Sequence, residues 1–277
     1  MQLPNVTASR RIADLPHALR DGDQFGGLLA DRRPAVFLDY DGTLTPIVDR
    51  PQDAVISGSM RQTVRALARR TTVCVVSGRD RLVVQQLMGI DDLVVAGSHG
   101  FDIWDPKIGT IHHDAATGFE DLVSRVTDRL RNAVGPVQGA VVEPKRASVA
   151  VHYRLVAPAE APLVRAAVDA LLTECPDQLK VTPGKMVYEV QPKIDWNKGK
   201  AVRYLMSALD LDTDHVVPLY LGDDITDEDA FQALAGWGIG VVVADVGDPQ
   251  QASRMTAADF VLESTEEVEQ FLNALAR

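Results

Sequence analysis

Short, unbroken apolar runs that each stop at a polar residue constrain this chain more than any other feature. Ala35-Val36-Phe37-Leu38 stops at Asp39, Val73-Cys74-Val75-Val76 at Ser77-Gly78-Arg79, and Leu93-Val94-Val95-Ala96 at Gly97. Between them the apolar spacing turns helical, with Met60, Val64, Leu67 and Ala68 inside 59–69 and a second helical stretch at 80–88. Strands buried on both faces read as continuous apolar runs, and strands alternating with helices build βαβ units. The pattern resumes later. It predicts a helix over 198–209, a run Val216–Leu221 ending at Gly222-Asp223-Asp224, a helix over 228–234, a run at 240–243 and an amphipathic helix over 266–276. The fold class is therefore α/β, with a Rossmann-like parallel sheet.

The middle of the chain obeys another rule. A helix over 118–133 precedes two β-like runs, 137–143 and 147–155, joined by Glu143-Pro144-Lys145-Arg146. A helix over 159–174 precedes two more, 179–182 and 186–190, around Pro183-Gly184-Lys185. This order with tight turns indicates an antiparallel sheet with helices on one face. We expect residues 1–115 and 191–277 to form the core and 116–190 an inserted α+β domain. Hinges are expected near 115–118 and 190–194. At about 150 residues per domain, 277 residues suit one large or two modest domains. Residues 1–33 read as a polar leader with a short helix near 25–32.

Several classes are excluded. No apolar run approaches the roughly 18 residues of a membrane span, and the first residues lack the apolar stretch of a secretory signal. Two cysteines give no disulfide framework, which points to a cytoplasmic protein. A net charge of −11 repels nucleic acid and anionic membranes. The expected partner is a small molecule, handled by a monomer.

In an open parallel sheet, ligands bind beyond the carboxyl ends of the strands. Asp39 and Asp41, Ser77, and Asp223 and Asp224 should therefore meet in one crevice. Converging carboxylates repel, and a divalent cation relieves that. Hard oxygen donors in an incomplete cage favour Mg²⁺. A carboxylate beside such an ion can attack phosphorus, while a second, two residues on, handles a proton.

The segment Asp39-Tyr40-Asp41-Gly42-Thr43-Leu44-Thr45, with Ser77, Asn197-Lys198-Gly199 and Gly222-Asp223-Asp224-Ile225-Thr226-Asp227-Glu228, resembles the four ordered motifs of haloacid-dehalogenase (HAD) superfamily phosphatases. The resemblance implies that Asp39 is the nucleophile and a metal ligand. Asp41 would protonate the leaving oxygen, activate water, and bind the metal through its main-chain carbonyl. Ser77 and Lys198 would hold phosphoryl oxygens, Asp223 would complete the Mg²⁺ site, and Asp224 and Asp227 would orient metal-bound water or Lys198. The position of the insertion matches the superfamily's larger, C2-type cap.

Gly97-Ser98-His99-Gly100, Glu143–Arg146, Val151-His152-Tyr153-Arg154 and Pro183–Val190 narrow the resemblance to the trehalose-6-phosphate phosphatases. It covers the chain from about Pro34 onward. It implies a sugar-binding cap, with Gly78, Arg79, His99, Glu143, Lys145, Arg154, Lys185 and Glu189 as substrate contacts. Glu143 and Glu189 are assigned to glucose hydroxyls, and Lys145, Arg154 and Lys185 to phosphate or hydroxyls. Taken singly, each charged turn residue also suits plain solvation. His152 suits a satisfied place on the sheet face, and His112-His113 an exposed turn. Rival expectations are a sucrose-phosphate or mannosyl-phosphoglycerate phosphatase, a phosphomutase, and a phosphosugar-binding protein without turnover.

Overall fold

The computed structural model describes residues 9–30, 32–48, 50–111, 118–184 and 186–277. In chain order the strands are β1 Arg10–Arg11, β2 Arg33–Leu38, β3 Val73–Val76, β4 Val94–Gly97, β5 Asp102–Asp105, β6 Gly109–Ile111, β7 Val141–Pro144, β8 Val149–His152, β9 Leu179–Gly184, β10 Val187–Pro192, β11 Val216–Gly222, β12 Ile239–Val243, β13 Met255–Thr256 and β14 Phe260–Leu262. The helices are α1 Gly22–Leu29, α2 Gly58–Ala68, α3 Arg81–Met88, α4 Glu120–Val134, α5 Ala161–Glu174, α6 Lys198–Ala208, α7 Glu228–Leu234, α8 Pro249–Ala252 and α9 Thr265–Leu275.

Two compact units share these elements. One runs to Ile111 and resumes at Asn197, and the other ends at Trp196. The first unit holds a sheet of order β14-β12-β11-β2-β3-β4-β5-β6. Pairing is parallel from β14 to β4 and antiparallel from β4 through β5 to β6. The apolar runs become the parallel strands because both faces are covered. On one face Val36, Leu38, Leu219 and Leu221 join Val64 and Leu67 of α2 and Val268, Phe271 and Leu272 of α9 in one buried cluster. Side-chain caps start α2 and α6: Ser57 Oγ accepts from the Met60 N–H, and Asn197 Oδ1 from the Lys200 N–H at 2.9 Å.

The leader is part of this unit. β1 pairs with β13, and His17 bridges to Val261 of β14. Buried His17 takes the Leu19 and Arg20 N–H groups on Nδ1 and meets Glu267 with Nε2 at 2.9 Å.

The second unit is a sheet of order β7-β8-β10-β9 with α4 and α5 packed side by side against it. Val151 stands opposite Val142 and Tyr188, and Ala150 opposite Glu143 and Glu189. Arg165 of α5 lies over the Tyr188 ring, so the Val142-Val151-Tyr188 row faces the helices. Side chains alternate along a strand, so Glu143, Ala150 and Glu189 share the opposite face.

Two expectations shift. The run expected over 137–143 begins only at Val141, because Val137 closes a turn onto Val134 and Gly139 adopts φ +89°. The span expected as a hinge, 190–194, begins inside β10, which includes Val190–Pro192, and the Lys193 N–H bonds the Gln178 carbonyl. The second junction between units falls after Trp196. The other expected hinge, at 115–118, lies mostly outside the described residues.

Candidate active site

The crevice forms where β2, β3, β4 and β11 end. Asp39 follows β2, Ser77 follows β3, Ser98 and His99 follow β4, and Asp223 follows β11. Lys198 joins them as the first residue of α6, and Asp227 closes the turn after β11.

Lys198 is the pivot. Its buried Nζ lies 3.0 Å from Asp39 Oδ1 and 2.6 Å from Asp227 Oδ1. Burial alone would push its proton off, but the two carboxylates outweigh that and raise its pKa. It stays a cation. Asp227 is fully buried and its oxygens are engaged. Oδ1 also accepts from the Tyr220 hydroxyl at 2.6 Å, and Oδ2 from the Asp224 N–H at 2.9 Å. Asp224 reciprocates in a capping box and accepts the Ile225 N–H at 2.7 Å. Its carboxylate therefore shapes the turn that presents Asp227.

Carboxylate oxygens of Asp39, Asp223 and Asp227 lie within 4.8 Å of one another. Asp223 is pushed up to about 9 by burial, then by Asp39 and Asp227. Asp39 is pushed up to about 7, mainly by burial and against the pull of Lys198. Asp223 Oδ1 is buried and has no hydrogen-bond partner among the described residues. A buried carboxylate oxygen left bare is costly unless something positive answers it. The donor set is all oxygen, as a hard divalent cation requires. These residues fit such an ion.

Gly42 explains how the first loop comes so close. It sits at φ +75°, and a Cβ there would fall 2.1 Å from Asp223 Oδ2. Its neighbour Asp41 stands apart from the carboxylate trio. Both Asp41 oxygens take 2.6 Å bonds from Arg79, through Nε and Nη2. Arg79 also donates to the Pro51 carbonyl at 2.7 Å and lies over the Tyr40 ring. Ser77 is buried, and its Oγ accepts the Arg79 N–H at 3.2 Å.

The loop after β4 is strained. Ser98 and His99 both have positive φ, 50° and 57°. The His99 N–H bonds the Ser77 carbonyl, the Ser98 N–H bonds the Arg79 carbonyl, and Ser98 Oγ donates to Asp80. These bonds hold the His99 ring against Gly78, where a Cβ would fall 2.8 Å from it. Such strain persists where the surroundings over-determine it, and it clusters at functional sites.

The remaining expected residues belong to the second unit. Glu189 lies within β10 rather than at a turn. Its carboxylate takes Lys145 Nζ at 3.2 Å and Ser148 Oγ at 2.7 Å. Glu143 Oε2 meets His152 Nε2 at 2.8 Å, so His152 is a satisfied residue on the face away from the helices. Arg154 follows β8 and is exposed. Lys185 lies outside the described residues, as do His112 and His113.

Tyr220 carries no role in the motifs, and Ser98 enters them only as part of Gly97-Ser98-His99-Gly100. Tyr220 did leave a signal: a hydroxyl near the end of an otherwise apolar run, Val216–Leu221.

The Trehalose-phosphatase family model matches residues 37–265. A trehalose-phosphate phosphatase of Mycobacterium tuberculosis (strain ATCC 25618 / H37Rv) is 41% identical over 273 residues, 98% of this chain and 68% of that protein. The chain also matches an uncharacterized glycosyl hydrolase of the same strain at 42% identity, and spans only 20% of its length. Among solved structures, the C-terminal domain of a C. albicans trehalose-6-phosphate phosphatase aligns with TM-score 0.75 and 25% identity, covering 95% of this chain and 98% of that one. A haloacid dehalogenase-like hydrolase from Bacteroides thetaiotaomicron shares the fold at TM-score 0.64 and 14% identity, covering 88% of this chain and 99% of that one.

Proposed function

Because the chain belongs to the trehalose-phosphatase family, we propose that it hydrolyses trehalose 6-phosphate to trehalose and inorganic phosphate, with Asp39 as the nucleophile. The observation that carries this reading is Lys198, held as a buried cation between Asp39 and Asp227 beside the bare oxygen of Asp223.

In the first step an Asp39 oxygen attacks phosphorus and the bond to the sugar O6 breaks. Asp41 gives that oxygen its proton. In the second, Asp41 takes a proton from a water that attacks the aspartyl phosphate. The Asp39–phosphorus bond breaks, phosphate leaves, and Asp39 is restored. Ser77 and Lys198 hold the phosphoryl oxygens through both steps; phosphoryl transfer rests on positioning and charge neutralisation. For Asp41 to reach either proton, Arg79 has to release at least one of its oxygens. We assign Arg79, with Gly78 and His99, to the substrate that would draw it away.

The divalent metal implied by the family would be held by Asp39, Asp223 and the main-chain carbonyl of Asp41. Once bound, it neutralises charge on the transferring group. We assign it as Mg²⁺, which accepts few protein ligands and completes its shell with water and phosphate oxygens. Asp227, already bonded on both oxygens, serves Lys198 instead.

We assign the second unit to substrate specificity. Glu143, Lys145 and Glu189 lie in a row of charged and hydroxyl groups on the sheet face away from its helices, with Arg154 and Lys185 nearby in sequence. Carboxylates and ammonium groups with fixed partners read adjacent hydroxyls and penalise the wrong sugar. Among the described residues no helix is long and apolar enough to cross a membrane. Both cysteines are free, which supports a reducing cytoplasm.

Phosphate release from trehalose 6-phosphate, sucrose 6-phosphate, mannosyl-phosphoglycerate and glucose 6-phosphate, with and without Mg²⁺, tests the reading. Release is expected to be fastest from trehalose 6-phosphate and to require the metal. Silence on that ester beside good turnover of another would overturn the substrate. Binding without release from any of them would overturn the enzyme.

A further inference from the structure

Tyr220 is a phenol in a strand that otherwise buries only hydrocarbon. β11 places Leu219 and Leu221 in the apolar cluster on one face of the sheet. Tyr220 points to the other face, where its ring packs edge-on against Phe231 at 5.8 Å. Phenylalanine would fill that place equally well, and burying a hydroxyl without use is costly. The hydroxyl does have a use. It donates at 2.6 Å to Asp227 Oδ1, the oxygen that also holds Lys198 Nζ. Burial and the surrounding carboxylates keep the phenol protonated, so it remains a donor.

We infer that Tyr220 is a positioning residue for the reaction proposed above, acting through Asp227 to fix where the Lys198 ammonium stands. The geometry gives a chain of four groups: Tyr220, Asp227, Lys198 and Asp39. Two donors on one oxygen, with the Asp224 N–H on the other, lock the Asp227 carboxylate against rotation about its own axis. The ammonium is left 3.0 Å from Asp39, beside the oxygen that attacks phosphorus. Without the hydroxyl, the carboxylate can turn and draw Lys198 off the line to the phosphoryl group. Hydrogen bonds to an ionised group are about twice as strong as neutral ones, so losing the one from Tyr220 is felt at Lys198 as well as at Asp227.

The inference rests on the phosphatase reading, and its test separates the two. In Tyr220→Phe, kcat is expected to fall about ten- to a hundredfold, as misplaced catalytic groups cost elsewhere, with KM nearly unchanged. In an Asp227→Asn background the same change should matter less than about twofold, because coupled residues are not additive. An equal factor in both backgrounds, or a Tyr220→Phe kcat within twofold of the parent, would overturn it. A merely structural tyrosine would lower the unfolding midpoint and leave kcat alone.

One measurement does not depend on turnover at all. The Lys198 ammonium, assigned in ¹⁵N NMR with a Lys198→Met control, should exchange with water about tenfold faster in Tyr220→Phe, since protection tracks how firmly a group is held. Unchanged exchange defeats the positioning role even if the parent protein proves inactive on every ester. An inactive parent with faster exchange in the variant defeats the phosphatase reading alone.

Discussion

Asp39, Asp223 and Asp227 crowd three carboxylates into a nearly dry corner, with Lys198 set among them. Replacing Asp39 by Asn keeps the shape and deletes the proposed nucleophile. Phosphate release should drop by roughly a thousandfold or more, the order that losing a nucleophile costs in other enzymes. The unfolding midpoint should not fall, because the variant removes a buried charge and leaves Lys198 paired with Asp227. Steady-state assays and thermal melts of the two proteins check both halves, and retained turnover would remove Asp39 from its role. Asp39, Ser77, Lys198 and Asp223 were legible in the sequence because each sits where an apolar run or a helix begins or ends. Asp227 was legible as a residue to orient Lys198 or metal-bound water, but its bond from Tyr220 was not. That bond depends on a hydroxyl reaching across the turn, a distance that no spacing encodes. The Arg79–Asp41 pair was hidden for the same reason.

Elements set what the residues cannot. β11 ends at Gly222 because nothing larger fits: a Cβ there would fall 2.3 Å from Asp227 Cγ. Gly222→Ala should therefore push Asp227 off Lys198. We expect kcat to fall about a hundredfold and stability by about 1–3 kcal/mol, the usual cost of overpacking, read by kinetics and by denaturant unfolding. Normal activity would show that the turn yields cheaply. In the second unit, Glu189→Ala leaves Lys145 and Ser148 without their shared carboxylate. Its expected signature is selective. kcat/KM for the disaccharide phosphate should drop about ten- to a hundredfold, the range for a lost polar contact to a charge, while a small aryl phosphate is barely affected. Equal losses on both would make Glu189 a structural residue. The unbroken apolar runs announced β2, β3, β4, β11 and β12. The hairpin of β5 and β6 and the short β14 were not announced. β5 and β6 mix polar with apolar residues and β14 has only three, so their strand character comes from a neighbour already in the sheet.

At the scale of the molecule, the buried acids tie stability to pH and metal. Asp39 and Asp223 have folded-state pKa values raised to about 7 and about 9 from an ordinary 3.8, so the fold prefers their protonated forms. The sign follows: their contribution is most favourable near pH 4 and is lost as pH rises toward 9. A cation binds the ionised forms and reverses that loss. Added Mg²⁺ should therefore raise the unfolding midpoint more at pH 8–9 than at pH 5, with about 2.7 kcal/mol available at a hundred times its dissociation constant. Melts across that range, with chelator and with metal, decide it; a shift independent of pH would exclude these carboxylates as ligands.

The strand order also matters while the chain is being made. β2 lies between β3, a near neighbour in sequence, and β11, whose Val216 pairs with Arg33 only after the whole second unit has been synthesised. At about 5–20 residues per second, one flank of β2 waits on the order of 10–40 s for its partner. The second unit draws on local hairpins and can close while β2 is still waiting. For that interval Ala35–Leu38 offer an open edge of bare backbone and hydrocarbon to any other nascent chain. The yield of active protein is then governed by what shields that edge at the ribosome, with Asp39 just past the end of a strand still missing half its sheet.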